Sequence, residues 1–284
     1  MLDENFFISP FSILTAMTMC YTGAKTDTSK QLKELLNLKG LNDHEINELS
    51  KDLMNTVNTK LGSEVLINVC NKIYPNARFE MKKEFVDNIT KTFHGEVEQV
   101  NYSDRVKSSK TINDWVASKT NNKIQNLISP DSIDDLVRLI LVNAIYFKGN
   151  WLDKFDVNNT SPEDFTLVDG GKVKVDMMKL NGKSFNMMYD VEGLNATLCK
   201  IPYAGDKISM TIILPNKGVA LNAVEKQLNS KKIQDVLSKQ FYKEKWNVHL
   251  PKFKMEYQIE VNFFYSLQLR FYLAMYTLVL NGIL

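Results

Sequence analysis

The chain has 284 residues, 44% of them hydrophobic and 24% charged, which excludes a disordered or fibrous polymer and supplies apolar mass for one large core or two fused subdomains. Its 35 basic residues nearly balance 33 acidic ones, so no long-range field draws it to nucleic acid or an anionic membrane. Three cysteines, Cys20, Cys70 and Cys199, fit neither a disulfide framework nor a closely spaced metal site and read as buried or free thiols.

The acidic start, Met1-Leu-Asp-Glu4, is followed by no apolar segment of signal-peptide length before Ser9-Pro10. Pro10 suits a first helical turn, where its missing donor would go unpaired anyway, so a helix is predicted over 11–21 with Gly23 as its stop. Helical spacing of Gln31, Leu32, Leu35 and Leu36 predicts a second helix over 28–36. A third, over 47–61, places Leu49, Leu53, Met54 and Val57 on one face. Lys51 and Lys60 on that helix have acidic neighbours and form no basic stripe.

Alternation of Val65, Ile67, Val69 and Ile73 predicts a half-buried strand over 64–74, ended by Pro75-Asn76. A helix over 82–93, a strand over 96–102 and a helix over 111–127 follow, the last with Ile112, Trp115, Val116, Ile124 and Leu127 at helical offsets. Residues 139–147 are a continuous apolar run of strand length, the pattern of a strand covered on both faces. They lead into Asn143-Ala-Ile-Tyr-Phe-Lys-Gly-Asn-Trp151. From 165 to 215 the pattern is β-rich, with strands predicted over 172–178, 184–189, 196–201 and 208–214. A helix over 221–237 and a strand over 246–250 close this part. No repeat or low-complexity linker divides the chain.

The ordered motifs carry a family resemblance. Asn5-Phe-Phe-Ile-Ser-Pro-Phe-Ser12, Gly23-Ala24 with Thr28 and Gln31, and Asn143 to Trp151 come first. Phe155, Thr160 and Phe165 follow, and then Leu198 through Ile201-Pro-Tyr203, Met210-Thr-Ile-Ile-Leu-Pro215 and Val248-His-Leu-Pro-Lys-Phe253. In this order they resemble the serpins, from Asn5 to about Asn262. The resemblance implies an α+β fold with three β-sheets and about eight or nine helices in the complete family, incomplete here. It also implies a monomeric inhibitor of serine, less often cysteine, endopeptidases. A cleaved reactive loop inserts as a new strand into the main sheet, and the protein is not an enzyme.

Under the resemblance, Asn5, Ser9, Ser12 and Asn143 form the polar group beneath the point where the main sheet opens, with helix capping as the plainer alternative. Lys148, Gly149 and Trp151 mark where the loop enters. Asn122 stands where the family often has glycine. The family also implies an extracellular location, with a cytoplasmic one as the alternative. On a secreted chain the N-glycosylation patterns at Asn88, Asn101, Asn158, Asn159 and Asn195 would matter.

His44, His94 and His249 lie in no nucleophile or metal motif, so no catalytic residue, metal or cofactor is expected. The likeness stops after Asn262. Residues 263–284 carry only Arg270 as a charge and contain no run of small residues able to serve as a hinge, so no reactive centre can be named. The domain is therefore set at 1–262 with a divergent apolar tail over 263–284, and both ends are expected to be truncated relative to the family. The tail reads as a segment covering exposed sheet, a buried helix or a membrane anchor, with Arg270 and Asn281-Gly282 weighing against a span. Three functions stay open: an inhibitor framework whose copy here is inactive, a non-inhibitory binding scaffold, and a tail-anchored variant.

Overall fold

The computed structural model describes residues 9–59, 64–134, 136–189, 191, 193–254, 258–261 and 272–276. Among them are seven α-helices and two five-stranded sheets, where the resemblance implied three sheets and eight or nine helices. Two compact units emerge: one holds α1–α5, β1–β3, β9 and β10, and the other is Gly149–Lys254.

The first unit begins with α1 (Pro10–Gly23), as Pro10 and Gly23 predict. Ser9 caps it by accepting a hydrogen bond from the Ser12 amide at 3.2 Å. Helix α2 is Thr26–Leu35, and α3 is Asp43–Thr59, which starts earlier than its apolar face suggests. A capping box sets that start, for Asn42 and Glu45 exchange bonds between side chain and backbone at 2.7 and 2.9 Å. The inward face of α3 is Ile46 and Met54, while Leu49 is 55% exposed and Leu53 37%.

Strand β1 (Val65–Pro75) alternates at first, then is buried on both faces from Asn71 onward. Helix α4 (Lys83–Phe93) follows as expected, but β2 is only Glu96–Val97, prolonged by an isolated bridge between Asn76 and Val100. Helix α5 runs Arg105–Lys119 and not to 127, because Asp104 caps its start and Asn121 and Asn122 take left-handed backbone after it. Asparagine tolerates that conformation, so the departure from glycine at Asn122 keeps the turn. Ile124 and Leu127 lie beyond the helix yet join the core beneath it.

Strand β3 (Leu139–Gly149) has the two-sided burial its apolar run predicts. Ile140, Val142 and Ala144 face a core shared with Ile112 and Val116 of α5, whereas Leu141 joins Ala16, Met17 and Met19 of α1 on the other face. The sheet order is β2-β1-β3-β10-β9, with β9 Gln258–Val261 and β10 Tyr272–Tyr276. β10 runs parallel to β3 and antiparallel to β9. Five residues of the stretch read as a separate tail are thus strand in this sheet, neither helix nor span. The rest of that tail lies outside the described residues, as does Asn5.

In the second unit, β4 (Ser161–Thr166) pairs with β5, a single strand over Lys172–Met188 where two were expected. A register shift between Leu180 and Lys183, with Gly182 at φ +63°, bends it without breaking it. β6 (Ala196–Pro202) and β7 (Ser209–Pro215) continue the sheet, and β8 (Tyr242–Pro251) pairs along the other side of β5. The predicted helix over 221–237 is two, α6 (Leu221–Gln227) and α7 (Ser230–Ser238), because Asn229 caps a new start through a 2.9 Å bond from the Lys232 amide.

Candidate functional site: the polar group under the central strand

Asn143 is 1% exposed in the middle of β3, on the side of Leu141 and α1. Its amide nitrogen donates to Asn71 Oδ1 at 2.6 Å, and Asn71 donates in turn to the Phe93 carbonyl at 2.9 Å. This chain ties β3 to β1 and β1 to the end of α4. Sequence reasoning named Asn143 and missed Asn71, whose signal was a polar pair, Asn71-Lys72, inside a mostly apolar strand.

The group is incomplete. Asn143 Oδ1 and Ser12 Oγ are both buried, and neither has a hydrogen-bond partner among the described residues. An unpaired buried polar atom costs about 1–3 kcal/mol, so two of them mark a place where stability is withheld. Both flank β10: Asn143 stands opposite Met275 in the strand register, and α1 runs against β10. Ser9 serves as helix cap and Ser12 as an unpaired hydroxyl, so two of the residues expected to cooperate play different parts.

On the opposite face of β1, Lys72 is nearly buried, with 8% of its side chain exposed. Its ammonium lies 3.2 Å from Glu96 and 2.7 Å from Glu98, and 5.1 and 5.2 Å from the rings of Tyr74 and Trp115. Trp115 of α5 donates to Glu96 at 2.9 Å, and Lys119 reaches the same carboxylate at 2.6 Å. Burial works to raise the Glu96 pKa, but bonds from Lys119, Lys72 and Trp115 outweigh it and leave the carboxyl below its usual value. Burial pushes the Tyr74 and Tyr102 phenols well up.

In the second unit Trp151 stacks on Tyr203 with centroids 4.4 Å apart and planes 10° from parallel, and Phe155 meets it edge-on at 6.1 Å. Burial raises the Tyr203 phenol to about 12. Lys148 is exposed and Gly149 half-buried, so of the residues expected where a loop enters, Trp151 alone carries a packed aromatic contact.

The glycosylation patterns differ in access. Asn101, Asn158, Asn159 and Asn195 are exposed, whereas Asn88 is half-buried on α4 with its side chain bonded to Asn47 at 3.2 Å. Burial pushes the Cys20 thiol to about 12 and Cys199 to about 11, and raises Cys70, so none is an activated nucleophile. Among the described residues no group of three His, Cys, Asp or Glu side chains could hold a metal ion, and no helix is long and apolar enough to cross a membrane.

A mixed sheet with a buried amide pair joining two neighbouring strands, Asn143 of β3 and Asn71 of β1, backed by helices on both faces, defines a class of α+β protein. The family model of the serpins, serine protease inhibitors, matches residues 2–266, and the chain belongs to that family. It is 36% identical over 257 residues to Serpin B6 of Macaca fascicularis, covering 89% of this chain and 68% of that one. Human neuroserpin is 32% identical over 264 residues, covering 91% of this chain and 64% of its own length. The structure of Serpin48 from the insect Tenebrio molitor superposes with TM-score 0.80 at 31% identity, covering 90% of this chain and 68% of that one. Uncleaved ovalbumin superposes with TM-score 0.82 at 26% identity, covering 91% and 72%. The chain therefore spans about two thirds of the length of these relatives.

Proposed function

We propose that this chain carries the framework of an inhibitor of serine, less often cysteine, endopeptidases that works by strand insertion beside β3, and that the chain as given traps no protease. The observation that supports this is the register of β10: its five residues lie parallel to 140–144 of β3, with position 275 opposite Asn143. A strand supplied by the tail stands against the segment that an inserted loop would need. The hydrogen-bonding groups of β3 on that side are already engaged, and insertion would have to displace them. Residues 263–284 themselves contain no run of small residues able to serve as a hinge.

Incubation with a panel of serine and cysteine endopeptidases tests the reading. No SDS-resistant covalent complex is expected, and a stable complex with any member would refute it. We further assign the chain to the extracellular space as a monomer, with the cytoplasm as the alternative. Glycosidase treatment of protein from expressing cells separates the two, because a mobility shift requires glycans at exposed sites such as Asn101 or Asn195.

A further inference from the structure

Strand β6 lies inside its sheet, and β7 beside it forms an edge. Ala196, Leu198 and Ile201 of β6 are at most 1% exposed, whereas Leu214 of β7 is 62% exposed and Ile212 and Ile213 are half-buried. Ile213 packs on the core that holds Leu198 and Val224, and Ile212 on the core of the other face, with Ile201, so both cores run out across β7. Among the described residues β7 pairs with β6 alone.

The register fixes which backbone groups of β7 stand open. The Tyr203 amide donates to the Ile208 carbonyl and the Asn216 amide to the Asn195 carbonyl, both at 2.9 Å and both in line with the β6–β7 ladder. Bonded and unbonded pairs alternate along an antiparallel ladder, so positions 208, 210, 212, 214 and 216 direct their groups to β6. Ser209, Thr211 and Ile213 turn theirs outward, where no partner meets them among the described residues. The side chains alternate too: Ile208, Met210, Ile212 and Leu214 form an unbroken apolar row on one face, with Ser209, Thr211 and Ile213 on the other. Other edge strands are guarded against pairing. β4 carries Pro162, Glu163 and Asp164, β8 carries Lys243, Glu244 and Lys245, and β9 carries Glu260. β7 has no charge, and its one proline is its last residue.

We propose that β7 is an interface with a second copy of this chain, the two β7 strands lying antiparallel and edge to edge about a two-fold axis at Thr211. Thr211 then faces its own counterpart and Ser209 faces Ile213, so every outward N–H and C=O of these three residues is bonded in both copies. On the apolar face Met210 meets Ile212 and Ile208 meets Leu214, so the row continues into the other copy and covers the open ends of both cores. An axis one residue on, at Ile212, would set Lys207 opposite Lys217 and turn the Ser209 carbonyl toward Pro215, which has no N–H. A pattern complementary to itself selects a second copy over an unrelated strand, and a two-fold contact closes at two. So short a contact buries less than a standard interface, so the monomer assigned above is the dilute form and the pair gathers as concentration rises.

Sedimentation velocity of the purified chain from about 1 to about 100 μM tests the proposal. The parent should pass from monomer to a species of twice the mass and no larger. Thr211→Pro leaves every bond to β6 in place but removes the N–H at the axis, and should weaken pairing at least about tenfold. Thr211→Lys and Thr211→Glu each set like charges face to face and should stay monomeric alone. Their equimolar mixture should pair again, because a two-fold at this position brings the two substituted residues together. Val168→Lys alters an apolar side chain that is 92% exposed in the turn between β4 and β5, and should pair as the parent does. Urea unfolding checks that each variant is folded, and recovery in the mixture shows it independently. A parent that stays monomeric throughout, unimpaired pairing of Thr211→Pro, equal loss in Val168→Lys, or a folded mixture that stays monomeric would each overturn the proposal. Protection of the 209, 211 and 213 amides from hydrogen exchange in the dilute monomer would do the same, because this chain's own residues would then cover the edge.

Discussion

Removing one amide from the pair beneath β3 should cost far more than removing the hydroxyl beside it. Asn71→Ala deletes the 2.9 Å bond to the Phe93 carbonyl and the 2.6 Å bond from Asn143. Each bond is worth about 1 kcal/mol net. The Phe93 carbonyl and the Asn143 amide would also be left buried without partners, so the loss should reach about 3–5 kcal/mol. Asn143→Ala strands only Asn71 Oδ1 and removes an oxygen that is already unpaired, so its cost should be about 1–2 kcal/mol. Ser12→Ala removes a buried hydroxyl with no partner among the described residues and should be neutral or stabilising by up to about 1 kcal/mol. Urea unfolding followed by circular dichroism gives the three values, compared where the denaturant slope is unchanged. A Ser12→Ala loss above about 1 kcal/mol, or an Asn143→Ala cost equal to that of Asn71→Ala, would refute the reasoning, because either requires a bond that is absent among the described residues.

The charge cluster under α5 behaves differently by the same logic. Lys72→Met keeps the volume and removes the buried ammonium, so stability should change by less than about 1 kcal/mol. Glu96→Gln/Glu98→Gln leaves that ammonium without a counter-charge and should cost about 3 kcal/mol in thermal or urea unfolding. Because the Glu96 pKa is lowered, its contribution is present above the ordinary value of 4.5 and is lost as pH falls through the lower folded value. Acid titration followed by Trp fluorescence should therefore show a limb below pH 4.5 that Lys72→Met flattens. Trp151→Ala loses the Tyr203 stack and the Phe155 edge contact and should cost about 3 kcal/mol in urea.

What the sequence discloses is local periodicity, and what it conceals is pairing between distant elements. The continuous apolar run at 139–147 has the pattern of a strand with cover on both faces, and β3 divides that cover between α5 and α1. Helix starts were misplaced wherever the apolar face begins after the cap: Asn42 with Glu45 and Asp104 lie outside the periodic pattern yet fix where α3 and α5 begin. Leu49 and Leu53 keep helical spacing and still face solvent, since spacing defines a stripe without saying which neighbour covers it. Asn143 was legible from its motif, but Asn71 acquires its meaning only when β1 lies beside β3, 72 positions away in the chain. The tail is the extreme case. Residues 272–276 carry no alternation and no turn signal, and their extended form depends on the hydrogen-bonding edges of β3 and β9 between which they lie. Strand character there is a property of the neighbours, which is also why the segment that supplies it bears on whether β3 can accept any other strand.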